Sequence, residues 1–134
     1  MNFFGKLWRA EISGLLALFI FAVLIGIYGF VESFLWSLQG MNLMISPLDA
    51  AWLVFVYAGT IGFVAVVFYG APVYALLHHK FRASWPAIVL VGAVPGAALL
   101  PFDSIGGWLI VGGVAVSCTT HFLNVRFLSN VHAL

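Results

Sequence analysis

The sequence predicts an all-α polytopic membrane protein, with four transmembrane helices in one antiparallel bundle and both termini in the cytoplasm. Three observations lead there. Hydrophobic residues make up 64% of the 134 and charged residues 7%, against about 45–50% and about 25% in soluble domains, so a soluble chain of this composition could not cover its own surface. The mean hydropathy is +1.16. All five Lys and Arg residues fall on one side of the apolar segments, as the positive-inside rule requires of a multispan protein.

A transmembrane helix needs about 20 mostly apolar residues, because the hydrocarbon core is about 30 Å thick and each residue rises about 1.5 Å. The first span is predicted at about 12–38; it carries no charge from Ser13 to Val31, and Trp8 and Trp36 suit the two interfacial belts. The residues before it, MNFFGKLWRAE, are expected to form a short amphipathic foot on the membrane surface. Lys6 and Arg9 resemble the positive region of a secretory signal, but the apolar run that follows is too long, so the segment is read as a retained span.

The second span is predicted at about 47–77, with Ser46 as its cap, Pro47 in its first turn and its excess length absorbed by tilt or by a kink at Pro72. The third, at about 85–100, has Ser84 as cap and Pro86 in its first turn, and is short and interrupted by Pro95. The fourth is predicted at about 105–123, joined to the third by PFDSIGG in a tight hairpin, after which the polar tail is expected to leave the membrane. Lys6 and Arg9, then Lys80 and Arg82, then Arg126 place the termini and the HHKFR loop in the cytoplasm, while the other two loops carry Asp49 and Asp103 and no Lys or Arg. The halves show no internal repeat, which argues against a transporter built from inverted repeats.

Between lipids, helices associate through close backbone packing and interhelical hydrogen bonds rather than through hydrophobicity. Gly92 and Gly96 form a GxxxG pair, and Gly113 and Ser117 a second small pair. These faces either pack on each other within the hairpin or receive a partner helix. Gly59 and Gly62 mark a further face on the second span, and Gly26 and Gly29 one on the first.

Among residues able to carry chemistry, Glu32 stands near the far end of the first span, where an ionisable group is a functional candidate for proton-coupled transport or an interfacial residue reaching water. Glu11 is expected to be a charge partner of Lys6 and Arg9. His78, His79, Lys80 and Arg82 form a cluster suited to anionic lipid headgroups. His121, at a helix end, is expected at the surface alongside them. Cys118 is single and cannot form an internal disulfide. No HExxH, phosphate-cradling glycine loop or paired carboxylates appear, so no catalytic residue, metal site or cofactor is expected. A net charge of +1 without a basic run gives no footprint for nucleic acid.

From Tyr69 the chain reads YGAPVYALLHHKFRASWPAIVLVGAVPGAALL. An aromatic-Gly-x-Pro segment closes the second span, a short basic loop follows, and the third span opens on Ser-aromatic and carries a glycine-rich face. This stretch, about residues 69–102, resembles small four-span bacterial inner-membrane proteins. Some of these are immunity proteins that protect a cell from its own membrane-active toxin, and others are accessory subunits. The resemblance implies a bacterial inner-membrane location and transfers no catalytic residue. The chain lacks the mid-span Glu of small four-span multidrug transporters and the pattern of the small fluoride channels. The expected function is therefore helix–helix interaction with another membrane protein, without enzymatic activity. The alternative is a small homo-oligomeric transporter or channel using Glu32.

Overall fold

The computed structural model describes residues 3–41, 44–80, 84–99 and 105–128, and every element among them is helical. Helix α1 spans Phe3–Leu38. Helix α2, Pro47–Ala65, runs through a π-helical turn at Val66–Gly70 into α3, Ala71–Lys80. Helix α4 spans Trp85–Leu99. Helix α5, Ile105–Leu123, ends in a second π turn at Asn124–Leu128. The stretches Phe4–Leu38, Pro47–His78 and Gly107–Arg126 are long and apolar enough to cross a membrane, whereas Trp85–Ala98 is a shorter apolar helix.

No proline interrupts α1, so its 36 residues form one rod about 54 Å long. The expected surface foot is not a separate element: residues 3–11 are the first turns of the same helix. The rod stops at Gly40, whose φ of 76° only glycine adopts without strain. Its N–H donates to the Ser37 carbonyl at 3.1 Å, and the Met41 N–H reaches back to Trp36 at 3.3 Å. This pair of bonds is a Schellman cap, which satisfies carbonyls that the helix end would leave bare.

Helix α2 starts as expected. The Ser46 hydroxyl oxygen accepts from the Asp49 N–H at 3.2 Å and the hydroxyl donates to the Asp49 carboxylate at 2.6 Å, with Pro47 in the first turn. Ahead of Pro72 the helix widens by one π turn. Proline has no N–H to give, and its ring would strike the carbonyl four residues back, which belongs to Phe68. The chain opens into the π turn, and the Ala71 N–H bonds the Val66 carbonyl five residues back. Helix α4 continues past Pro95 to Leu99 without a π turn.

Helix α1 is the spine. It packs against α2, α3 and α5, and α4 packs chiefly on α5. The inner face of α1 is built from small residues: Ala10, Ser13, Gly14, Ala17, Ala22, Gly26 and Gly29 are all buried. A Cβ on Gly29 would lie 3.3 Å from Val54, one on Gly26 would lie 3.4 Å from the Ala51 carbonyl, and one on Gly14 would lie 2.8 Å from Val66. A Cβ on Gly112 would lie 3.0 Å from Phe21, so a glycine on one side sets each of these approaches.

The closest approach joins α4 to α5. A Cβ on Gly92 would collide with the Ser117 hydroxyl and the Gly113 backbone, one on Gly113 with the Gly92 carbonyl, and one on Gly96 with the Ile110 backbone. Gly92, Gly96, Gly113 and Ser117 are therefore spent on the chain's own hairpin, and this face is closed to a partner helix. Gly62 is likewise filled by Leu18 of α1, whereas a Cβ at Gly59 would meet nothing within 4 Å. Gly92→Leu is expected to destabilise the fold by at least about 2 kcal/mol through overpacking, and Gly59→Leu by under about 0.5 kcal/mol. Unfolding in mixed SDS micelles would check both.

Candidate functional site

The residues most able to carry function gather where the first turns of α1 and α4 meet the last turns of α3 and α5. The Lys6 ammonium donates to the His78 carbonyl at 3.2 Å, so a cation on α1 covers a carbonyl that the C-terminal end of α3 cannot pair internally. Beneath it, Ala10, Ala71, Tyr74 and Ile88 form a buried cluster flanked by Leu7.

His121 enters this cluster from α5. It is only 6% exposed, like Tyr74, and its Nδ1 shares a 3.0 Å hydrogen bond with the Tyr74 hydroxyl, in a direction set by the imidazole tautomer. The Trp85 ring meets the imidazole edge-on at 4.7 Å and 90°. His121 is thus not a surface residue. It is the polar tie between α5 and α3, satisfied where an unpaired group would be costly. The π turn sets the direction of Tyr74, because one extra residue per turn rotates everything after it by about 100°.

Above this cluster lies an apolar slot of about 510 Å³, lined from α1, α2, α3, α4 and α5. It exists because α2 and the α4–α5 pair are each held to α1, while among the described residues α2 makes no comparable contact with α4 or α5. Three of its polar side chains bond within the protein, while Tyr57, Tyr69 and Trp108 also stand in its lining. The Ser117 hydroxyl donates to the Val114 carbonyl at 3.1 Å and Thr120 to Val116 at 2.7 Å, and Tyr74 holds His121. Thr119 likewise donates to the Ala115 carbonyl at 2.8 Å.

The sequence-predicted residues distribute as follows. Glu32 is half-buried on α1, two turns beyond Ile25, the last α1 residue of the slot lining. His78 is exposed with its ring 6.2 Å from Tyr74. Arg82 and Asp103 lie outside the described residues, as do the side chains of His79 and Lys80. The tail does not leave helix at Leu123: it continues through the π turn to Leu128, and Arg126 stacks over the Phe122 ring at 5.6 Å. Among the described residues no group of three His, Cys, Asp or Glu gathers around one point. Sequence reasoning missed the Tyr74–His121–Trp85 cluster because it treated His121 by position. The available signal was chemical: His121 follows SCTT inside an apolar run, where a polar side chain needs a partner.

Comparison with known proteins finds no matching family model, no matching curated protein and no matching solved structure.

Tyr74→Phe is expected to cost about 1–3 kcal/mol by leaving a buried His121 nitrogen unpaired, and adding His121→Leu should recover part of that loss. A double-mutant cycle in mixed micelles measures it; additive losses would contradict the coupling.

Proposed function

We propose that the chain is a four-span protein of a bacterial inner membrane and recognises another membrane-embedded chain, as an accessory subunit or as an immunity protein against a membrane-active toxin. In this reading the helices alternate in direction, α4 crosses the thinned edge of the bilayer as a short span, and both termini lie in the cytoplasm. The basic segment His78, His79, Lys80 and Arg82 then meets anionic headgroups. The activity is recognition rather than catalysis.

One observation supports the reading above others. Helix α2 turns Ala50 and Gly62 inward and carries Trp52, Val56 and Phe63 exposed on a stripe with Gly59 between them. These four positions follow each other at helical spacing, and the space over Gly59 is open. An apolar stripe with a glycine notch suits close approach by a second helix. With the α4–α5 glycines filled internally, recognition moves to α2. The alternative, a homo-oligomeric transporter using Glu32, draws less support because Glu32 stands away from the slot.

A photo-reactive amino acid at Val56 or Phe63 in intact membranes tests the recognition reading. The expected result is one adduct with a heterologous membrane protein, reduced about tenfold or more by Gly59→Leu, which would correspond to about 1.4 kcal/mol. Adducts with lipid alone would contradict it. For the topology, reporters fused within 78–83 should be active only as cytoplasmic fusions, and a periplasmic signal there would overturn the orientation.

A further inference from the structure

We infer that the slot between α2 and the α4–α5 pair is a binding site for one hydrocarbon chain of an anionic phospholipid, entering from the leaflet that faces the basic end of the protein. The inference rests on the membrane location and is independent of recognition by α2.

Shape, chemistry and charge each narrow the occupant. The slot is long: its α1 lining runs from Ala10 to Ile25, about 22 Å along the helix axis. That exceeds one leaflet of a hydrocarbon core about 30 Å thick and suits an extended chain rather than a compact molecule. At about 510 Å³ it falls within the usual range of ligand sites, about 300–1,000 Å³.

The lining favours an apolar ligand. Ser117, Thr120 and Tyr74 spend their hydroxyl groups on Val114, Val116 and His121; Tyr57, Tyr69 and Trp108 bring the other polar atoms, and the exposed walls are overwhelmingly apolar. Water would find few partners there. An empty slot would leave its walls without dispersion contacts on one side. In a bilayer the abundant apolar molecule of this length is an acyl chain.

Charge selects the headgroup. At this end the lining reaches Ala10, Leu77, Ile88 and Thr120, beside the turn of α1 that carries Lys6 and Arg9. Lys6 is fixed there by its bond to the His78 carbonyl, and Arg126 follows His121 on α5 by little more than one turn. A lipid with its tail in the slot places its phosphate at this basic rim, where anionic headgroups are attracted.

Native mass spectrometry of the full chain in mild detergent, with phosphatidylglycerol or phosphatidylcholine added, tests the site. One phosphatidylglycerol retained per chain is expected, with phosphatidylcholine retained more weakly. Ala58→Phe combined with Val116→Phe fills the slot from both walls and should lower retention about tenfold or more, since each excluded methylene weakens binding. Undiminished retention in a variant that unfolds at the wild-type SDS fraction would overturn the proposal, as would equal retention of the two lipids. Should the double variant fail to fold, a phosphatidylglycerol with a diazirine in its acyl chain decides the matter on the wild-type chain. Adducts on Val116 and Ala58 support the slot, and adducts confined to outward positions such as Val111 and Phe68 overturn it.

Discussion

An apolar side chain gains little by leaving lipid for protein, so a chain with 64% hydrophobic residues cannot be held together by burial alone. The constraint on everything else here is how closely helix backbones can approach. Helix α1 meets it with one face of Ala10, Ser13, Gly14, Ala17, Ala22, Gly26 and Gly29, and α2, α3 and α5 dock on that face. The α4–α5 hairpin applies the same solution, with Gly92 set against Gly113 and Gly96 against Ile110. Because α1 serves all these contacts, α2 and α5 are positioned by a common neighbour rather than by each other, and the slot is the space that this arrangement leaves.

Proline acts through the same geometry. Pro72 cannot continue an α-helical ladder, and the π turn that relieves it at Val66–Gly70 re-aims the residues that follow. Tyr74 thereby faces His121, and the bond between them ties α3 to α5 at the end where Lys6 covers the His78 carbonyl. One end of the bundle is therefore closed by polar groups that satisfy one another, while the middle stays apolar and open. Internal satisfaction is what makes buried polar groups tolerable away from water. It also leaves the slot with mainly apolar walls, and α2 with most of its apolar surface turned outward.

Much of this was legible in the residues, and the remainder has physical reasons for escaping. Composition predicted an all-helical chain, and the turn chemistry of Ser46–Pro47 predicted the start of α2. The small-residue pairs Gly92/Gly96 and Gly113/Ser117 were visible, but spacing alone does not say whether the same face meets its own hairpin or another chain. Gly26 and Gly29 mark part of the α1 face in the sequence, but the Ala and Ser residues that complete it carry no spacing signal of their own, so the role of α1 as spine shows only in the packing. Pro72 signalled a distortion and not its form, since kink and π turn both relieve the same missing N–H. His121 illustrates the harder limit: its partner stands 47 positions away, and nothing local identifies it.

The central claim is the arrangement itself: α2 and the α4–α5 pair both held on α1, with an open slot between them. Cysteine pairs placed in a Cys118→Ser background and oxidised in isolated membranes test it most directly. A Cβ on Gly29 lies 3.6 Å from the Val54 Cβ, within the span a disulfide bridges, so Gly29→Cys with Val54→Cys should crosslink readily. Ala58→Cys with Val116→Cys faces across the slot and should remain reduced. A crosslink across the slot together with none between positions 29 and 54 would contradict the account.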